Sequence, residues 1–308
     1  MSETMSEISQ SATAEPLKVE TPLHRFMSDF ADNKIALIAF FVLVAIIFIA
    51  LFASVISPTD PYDLAKVSIF DSKLAPGAKS MDGVTFWLGT DTSGRDLLSS
   101  IFYGLRISLG VGVMSGVIAL CVGSAIGLMA AYYGGYVDTL IMRIVDIQLS
   151  FPAILVALIL ISVLGKGVDK IIIALVLVQW AYYARTVRGT ALVERNKEYI
   201  EAASCLALSN NRIVFRHLLP NCLPPLIVVA TVQTAHAISL EATLSFLGVG
   251  LPITEPSLGL LIANGFEVML SGLYWVSFFP GIALLITIVS INLVGDQLRD
   301  VLNPRLQK

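Results

Sequence analysis

Long uncharged apolar runs, separated by short polar segments, fill most of the sequence after residue 34. The first run, residues 35–56, reads IALIAFFVLVAIIFIALFASVI and holds no charge. A helix of that length reaches across the roughly 30 Å hydrocarbon core of a bilayer. The 34 residues before it are polar and include acids, whereas a cleaved signal has a short basic head and a shorter apolar core. The pattern predicts a retained transmembrane helix at 35–57.

Five further apolar segments follow, each bounded by Gly, Pro or charge, at residues 101–131, 140–164, 171–187, 222–247 and 275–294. The sequence therefore predicts an all-α integral membrane protein with six transmembrane helices. Composition supports this, because 56% of the 308 residues are hydrophobic and only 14% are charged. The expected organisation is a leader at 1–34, the first helix at 35–57, a polar segment at 58–100, a five-helix core at 101–297 and a tail at 298–308.

Positive charge predicts the orientation, since cytoplasmic loops carry an excess of Lys and Arg. Six spans place the leader, the 132–143 turn, the 185–221 loop and the tail on one face, which holds 13 of the 20 basic residues. We therefore expect both termini in the cytoplasm and the 58–100 segment on the opposite face of the membrane. The net charge of −3, without a basic block interleaved with aromatics, gives no indication of nucleic-acid binding.

Motifs of metal sites and enzymes are missing from the sequence. The cysteines and histidines are too widely separated for a ligand set or a disulfide framework: Cys121, Cys205, Cys222, His24, His217 and His236. No G-x-x-x-x-G-K-[ST] loop occurs, so we expect the chain itself to bind no nucleotide or other cofactor. No nucleophile elbow, H-E-x-x-H helix or paired-carboxylate site argues for an enzyme, which leaves an integral-membrane enzyme as an open alternative without a reactive set of residues.

The interval 198–221, EYIEAASCLALSNNRIVFRHLLPN, contains charges that hydrocarbon would exclude. Read as a helix from about residue 196, it places on one face an apolar stripe of Tyr199, Ala202, Ala203 and Leu206. A turn is expected at 209–211, followed by a second short helix over 212–219 and by prolines in the first turn of the fifth span. The stripe is too narrow for a core, so it predicts docking in a partner's groove.

Glycines in the second span recur at spacings that share one helix face: Gly112, Gly116, Gly123 and Gly127. This face predicts close helix approach, either within the subunit or between subunits. In the third span, Arg143 and Asp146 lie at i and i+3 and are expected to pair structurally.

Polar residues also interrupt the fifth span. Gln233 and His236 share a face, and they are candidates either for lining a translocation path or for an interhelical hydrogen bond. Glu241 does not share a helix face with both of these residues. The segment GTDTSGRD, residues 89–96, is expected to form a turn and a helix cap, because it lacks the distal Glu of a calcium loop.

The interval 198–221 resembles the EAA loop of type I ABC importer permeases, whose pattern is E-A-A, three residues, Gly, then about nine residues and an Ile/Leu-x-Leu-Pro ending. Further segments resemble the C-type permease subunit of dipeptide/oligopeptide/nickel importers: WLGTDTSGRDLLSSIFYGLRISLGVG (87–112), YYGGYVDTLIMRIVDIQLSFP (132–152), YARTVRG (183–189), SLEATLSFLGVGLP (239–252), PSLGLLIANG (256–265) and NLVGDQLRDVLNPR (292–305). The resemblance runs in order from about residue 21 to 305 and implies the type I ABC importer permease fold.

The resemblance implies that an EAA loop at 190–220 couples the chain to an ATPase. The residues implied for this loop are Tyr199, Glu201, Ala202, Ala203, Leu206, Ala207, Arg212, Leu219 and Pro220. Ala207 stands where the family has Gly. Because a left-handed Ala costs about 1–2 kcal/mol, we expect the turn to lie instead at 209–211.

The resemblance also implies a non-catalytic subunit of a bacterial inner membrane, with the 58–100 segment in the periplasm. It further implies partners and cargo. The partners are a homologous B-type permease, two ABC ATPase subunits and a periplasmic or lipid-anchored solute-binding protein, and the 58–100 segment is expected to face that binding protein. The implied cargo is a short peptide, with nickel chelate, glutathione or another small solute as alternatives. A proton-driven carrier would be a different class of transporter, built from inverted repeats around buried acids, and no such repeat is evident.

Overall fold

The computed structural model describes residues 22–61, 63, 67–80, 83–252 and 255–302. Within this part the chain forms the helices α1 (Pro22–Ala31), α2 (Lys34–Leu51), α3 (Ala53–Ile56), α4 (Leu97–Tyr133), α5 (Gly135–Ser150), α6 (Ala153–Leu164), α7 (Val168–Arg195), α8 (Glu198–Cys205), α9 (Asn210–Arg212), a π-helix (Ile213–Leu218), α10 (Leu219–Phe246), α11 (Leu258–Met269) and α12 (Trp275–Leu302). Among the described residues, extended pairing is limited to two isolated bridges. The prediction of an all-α protein is confirmed.

Five helices in the described part are long and apolar enough to cross a membrane, and the bent pair α5 and α6 makes a sixth candidate. The predicted third span, 140–164, is therefore not one straight helix: α5 and α6 meet at 93°. Pro152 explains the break, because it has no N–H for the helix ladder and disfavours helical backbone in the residue before it. Phe151 accordingly is extended, with φ −92° and ψ 142°.

The glycine face of α4 packs inside the chain. An added Cβ at Gly123 or Gly127 would lie 2.4 Å from the backbone oxygen of Trp180 or Ala184 in α7. Gly112 and Gly116 face α10 in the same way, against Ile238 and Thr234; these two side chains fill the space that a larger residue would need. All four glycines therefore serve packing within the subunit.

Ion pairs join α5 to α7. The Arg188 guanidinium donates to both Asp138 oxygens, with Nε to Oδ1 at 2.7 Å and Nη2 to Oδ2 at 2.6 Å. Asp146 accepts from Arg185, whereas Arg143 is exposed. The predicted pair of Arg143 with Asp146 is thus wrong, because α7 brings a guanidinium across the helix interface to Asp146.

The polar segment before α4 folds as the sequence predicts. Asp91 is buried, and its Oδ1 accepts the backbone N–H groups of Ser93 and Arg95 at 2.9 Å each. Its Oδ2 meets Arg95 Nε at 2.7 Å. Asp96 caps α4 by accepting from the Ser99 N–H at 2.9 Å. The turn and the helix cap together account for these side chains.

Candidate functional site

Helix α8 ends in a left-handed turn at Ala207. The φ of Ala207 is 52°, its N–H donates to the Ser204 oxygen at 3.0 Å, and the Leu208 N–H donates to the Ala203 oxygen at 3.3 Å. These two bonds form a Schellman motif, a helix end that usually has Gly at this position. The expected shift of the turn to 209–211 is therefore wrong: Ser209 is extended, and Asn210 already begins the next helix.

The strain of Ala207 is offset by the contacts that its turn allows. The turn directs Leu208 onto a small apolar cluster with Ile200, Ala203 and Ile213. A contact of this kind, between the residue after the left-handed turn and the last helical turn, commonly accompanies a Schellman motif. The cluster fixes α8 to the π-helix, since Ile200 and Ala203 belong to α8 and Ile213 begins the π-helix.

The outer face of α8 leaves most of the predicted stripe uncovered. Leu206 is 75% exposed and Tyr199 is 37% exposed, and Ala202 and Glu201 are also exposed. Ala203 differs, because it lies 5% exposed in the internal cluster. The structure thus brings Tyr199, Ala202 and Leu206 together on the accessible surface, but it assigns Ala203 to internal packing.

Tyr199 is anchored to the end of α7. Its hydroxyl donates to Glu194 Oε2 at 2.8 Å, while Lys197 Nζ holds the other oxygen of Glu194 at 2.6 Å. Partial burial, followed by this hydrogen bond, raises the pKa of Tyr199 to about 12. The phenol therefore stays a neutral donor throughout the physiological pH range and fixes the start of α8.

The predicted second short helix does not end before the fifth span. Residues 210–246 form one continuous helix that includes the π-helix. Pro220 accounts for the widened turn, because it offers no N–H to the carbonyl four residues earlier and its ring would press on that carbonyl. Pro224 and Pro225 lie inside α10 rather than in its first turn. Of the predicted loop residues in this part, Arg212 and Pro220 are exposed and Leu219 is half-buried.

A cleft of about 850 Å³ lies among α7, α10 and α12. Its lining residues are Tyr182, Thr186, Asn221, Pro224, Pro225, Val228, Val229, Val232, Gln233, Arg299 and Leu302. Gln233 is 6% exposed, and its Nε2 has no hydrogen-bond partner within the described part of the chain. His236 is half-buried and does not line this cleft. Of the two polar candidates in the fifth span, Gln233 therefore lies at the cleft, although it is largely buried there.

Glu241 forms a polar centre that sequence reasoning did not assign. Its carboxylate is fully buried and accepts from Ser108 Oγ at 2.8 Å and Ser245 Oγ at 2.7 Å. Ser257, which caps α11, also hydrogen-bonds to it. The carboxylate thus joins α4, α10 and α11. Only Ser245 was visible in the sequence as a neighbour, at i+4 on the same helix face.

Comparisons with known proteins agree on one family. The model of the binding-protein-dependent transport system inner membrane component matches residues 123–308, and that of the N-terminal TM domain of oligopeptide transport permease C matches residues 21–76. The di/tripeptide transport system permease protein DppC of Pseudomonas aeruginosa is 38% identical over 93% of both chains. The glutathione transport system permease protein GsiD of Pectobacterium atrosepticum is 34% identical, over 94% of this chain and 93% of the relative.

Solved structures support the fold. A chain of the MetNI methionine ABC transporter, in inward-facing conformations, aligns with a TM-score of 0.55 and 22% identity. The alignment covers 67% of this chain and 98% of that chain. The type I permease fold predicted from the sequence is therefore confirmed over the matched part.

Proposed function

Because this chain belongs to the family of binding-protein-dependent transport system inner membrane components, we propose that it is the permease subunit of an ATP-driven importer of short peptides. The names of several relatives specify peptides, among them the dipeptide permeases of Haemophilus influenzae and Bacillus subtilis, at 34% and 36% identity. These relatives align over at least 90% of this chain. They therefore favour a peptide over glutathione, which one relative's name specifies.

The proposed assembly has this chain beside a homologous B-type permease, with the translocation path between them and with both termini in the cytoplasm. Two ABC ATPase subunits bind below, and a solute-binding protein delivers peptide from the periplasm to the 58–100 segment. ATP hydrolysis belongs to the separate subunits, and this chain contributes no catalytic group or cofactor.

The observation that carries the proposal is the exposed, rigidly mounted apolar tip of α8. Leu206 is 75% exposed at its end, although the helix itself is fastened on both sides. Tyr199 holds its start to Glu194 of α7 at 2.8 Å, and the Ile200 and Ala203 side chains pack on Ile213. A displacement of Leu206 by a bound partner would therefore be transmitted to Ile213. Ile213 belongs to the continuous helix that goes on as α10 and lines the cleft.

The proposal is tested with the complete transporter in proteoliposomes, by measuring uptake of a labelled dipeptide. We expect uptake that requires ATP and the binding protein and that stops when the ATPase partner is made hydrolysis-deficient. Unlabelled dipeptide should compete more strongly than glutathione or a nickel chelate. Uptake that persists with the inactive ATPase, or that follows a proton gradient instead, would contradict the proposal.

A further inference from the structure

We infer that the cleft among α7, α10 and α12 is a transit site for short peptides, in which Gln233 and Arg299 bind the groups that all peptides share. The inference rests on the proposed function and adds to it a ligand-binding site within this chain. The cleft's volume of about 850 Å³ falls within the range of roughly 300–1,000 Å³ typical of small-molecule sites. A dipeptide or tripeptide therefore has room in it.

Gln233 supplies the first argument. A buried amide donor normally has a partner, because leaving it without one is costly. The Gln233 side chain is more than nine-tenths buried and lines the cleft, yet its Nε2 donates to no described residue. Nε2 itself has almost no accessible surface, so binding requires the amide to turn outward when a peptide reaches the cleft. Gln179 Nε2 donates to the Gln233 backbone oxygen at 3.2 Å and does not engage the side-chain amide. A peptide carbonyl is the acceptor that such a donor requires.

Arg299 supplies the second argument. Its exposed side chain lines the same cleft, and it forms no salt bridge with any described residue. A guanidinium binds a carboxylate through two parallel hydrogen bonds. The C-terminal carboxylate of a peptide offers that group whatever its sequence.

The walls of the cleft explain how one site accepts many peptides. Five of the eleven lining residues are prolines and valines, at residues 224, 225, 228, 229 and 232, which contact apolar groups without demanding a particular hydrogen bond. In addition, Pro225 cannot donate to the carbonyl of Asn221, so this wall offers an acceptor to a peptide amine. Recognition therefore falls on the backbone and termini rather than on the side chains of the cargo.

Photo-cross-linking tests the site in the complete transporter during ATP turnover. The probe is the dipeptide alanyl-p-benzoylphenylalanine, and mass spectrometry maps the adducts. We expect adducts at Val228 and Val232, which line the cleft, and none at Ile227, which is 44% exposed on the same helix but outside it. Normal uptake without adducts in the cleft would overturn this inference but leave the proposed function intact. That is the result expected if the homologous permease fills the cleft.

Two variants separate recognition from packing. Gln233→Leu should lower the adduct yield about two- to tenfold, the range of one hydrogen bond. Gln297→Leu, at a buried position outside the cleft whose amide hydrogen-bonds to Asn33 and Asp29, should leave the yield unchanged. Arg299→Gln should abolish the preference for the free acid over the amidated probe. Equal losses in both glutamine variants, or a preserved preference, would overturn the inference. Absence of ATP-dependent uptake by the unmodified complex would overturn the proposed function and this site with it.

Discussion

The hydroxyl of Ser108 in α4 donates a hydrogen bond of 2.8 Å to the buried carboxylate of Glu241 in α10. Removing the donor of a buried hydrogen bond leaves its acceptor unsatisfied, at a cost of about 1–3 kcal/mol. We therefore expect Ser108→Ala to lower the thermal midpoint of the purified complex. Ser115→Ala is the matched control, because Ser115 is equally buried on the same helix but bonds only to its own backbone, at Gly112. Equal midpoints for the two variants would contradict the role assigned to Glu241.

Leu206→Asp should abolish co-purification of the ATPase subunits. The substitution places a charge on the exposed apolar tip of α8 without disturbing the internal cluster, so membrane insertion should be normal. Cys205→Asp, at the neighbouring exposed position, should act in the same direction. Leu270→Asp is the control, since Leu270 is 97% exposed in the connection between α11 and α12, outside the proposed coupling surface. Retention of the ATPase by Leu206→Asp would count against the docking surface.

Ala207→Gly should slow hydrogen exchange of the amides in residues 200–208. Glycine adopts the left-handed conformation without the cost of about 1–2 kcal/mol that alanine incurs. The end of α8 should therefore open less often, by a factor of about five or more. Ala202→Gly should have the opposite effect, because glycine inside a helix costs about 1 kcal/mol. Faster exchange in Ala207→Gly would show that the turn is not the strained element.

Gly127→Ala should destabilise the bundle markedly. The added Cβ would lie 2.4 Å from the Ala184 backbone oxygen, so α4 and α7 must separate. Gly110→Ala in the same helix is the control, because its added Cβ has no neighbour within 4 Å and alanine favours a helix. Thermal unfolding in detergent should show a lowered midpoint for the first variant and an unchanged or raised midpoint for the second.

Local patterns predicted the features that depend on neighbours in the chain. The glycine spacing in α4 marked a close-packing face, and the GTDTSGRD segment predicted a turn and a helix cap, because both follow from helix geometry and short-range hydrogen bonds. The structure assigns that cap to Asp96. Pro152 is the residue in the sequence that indicates the bend between α5 and α6. Because apolar residues continue on both sides of it, the segment was predicted as one span.

Long-range contacts account for what the sequence did not reveal. The partner of Asp146 is Arg185, 39 residues away, and the donors to Glu241 come from three helices. Ala207 illustrates a different limit: its intrinsic preference argued against a left-handed turn, but two backbone hydrogen bonds and the packing of Leu208 outweigh that preference. The orientation of the exposed stripe on α8 likewise depends on Ile213, which lies beyond the turn.

The π-helix between Ile213 and Leu218 has a rotational consequence. Its hydrogen bonds span five residues rather than four, so this stretch holds about one residue more than an α-helix of equal length. One residue corresponds to about 100° of helix rotation. The wider turn absorbs the extra residue, so deleting one residue here would restore an α-helix and leave Gln233 at the same angle to Ile213. The same deletion in the regular part of α10 before Gln233 would turn that side chain by the full angle of about 100°.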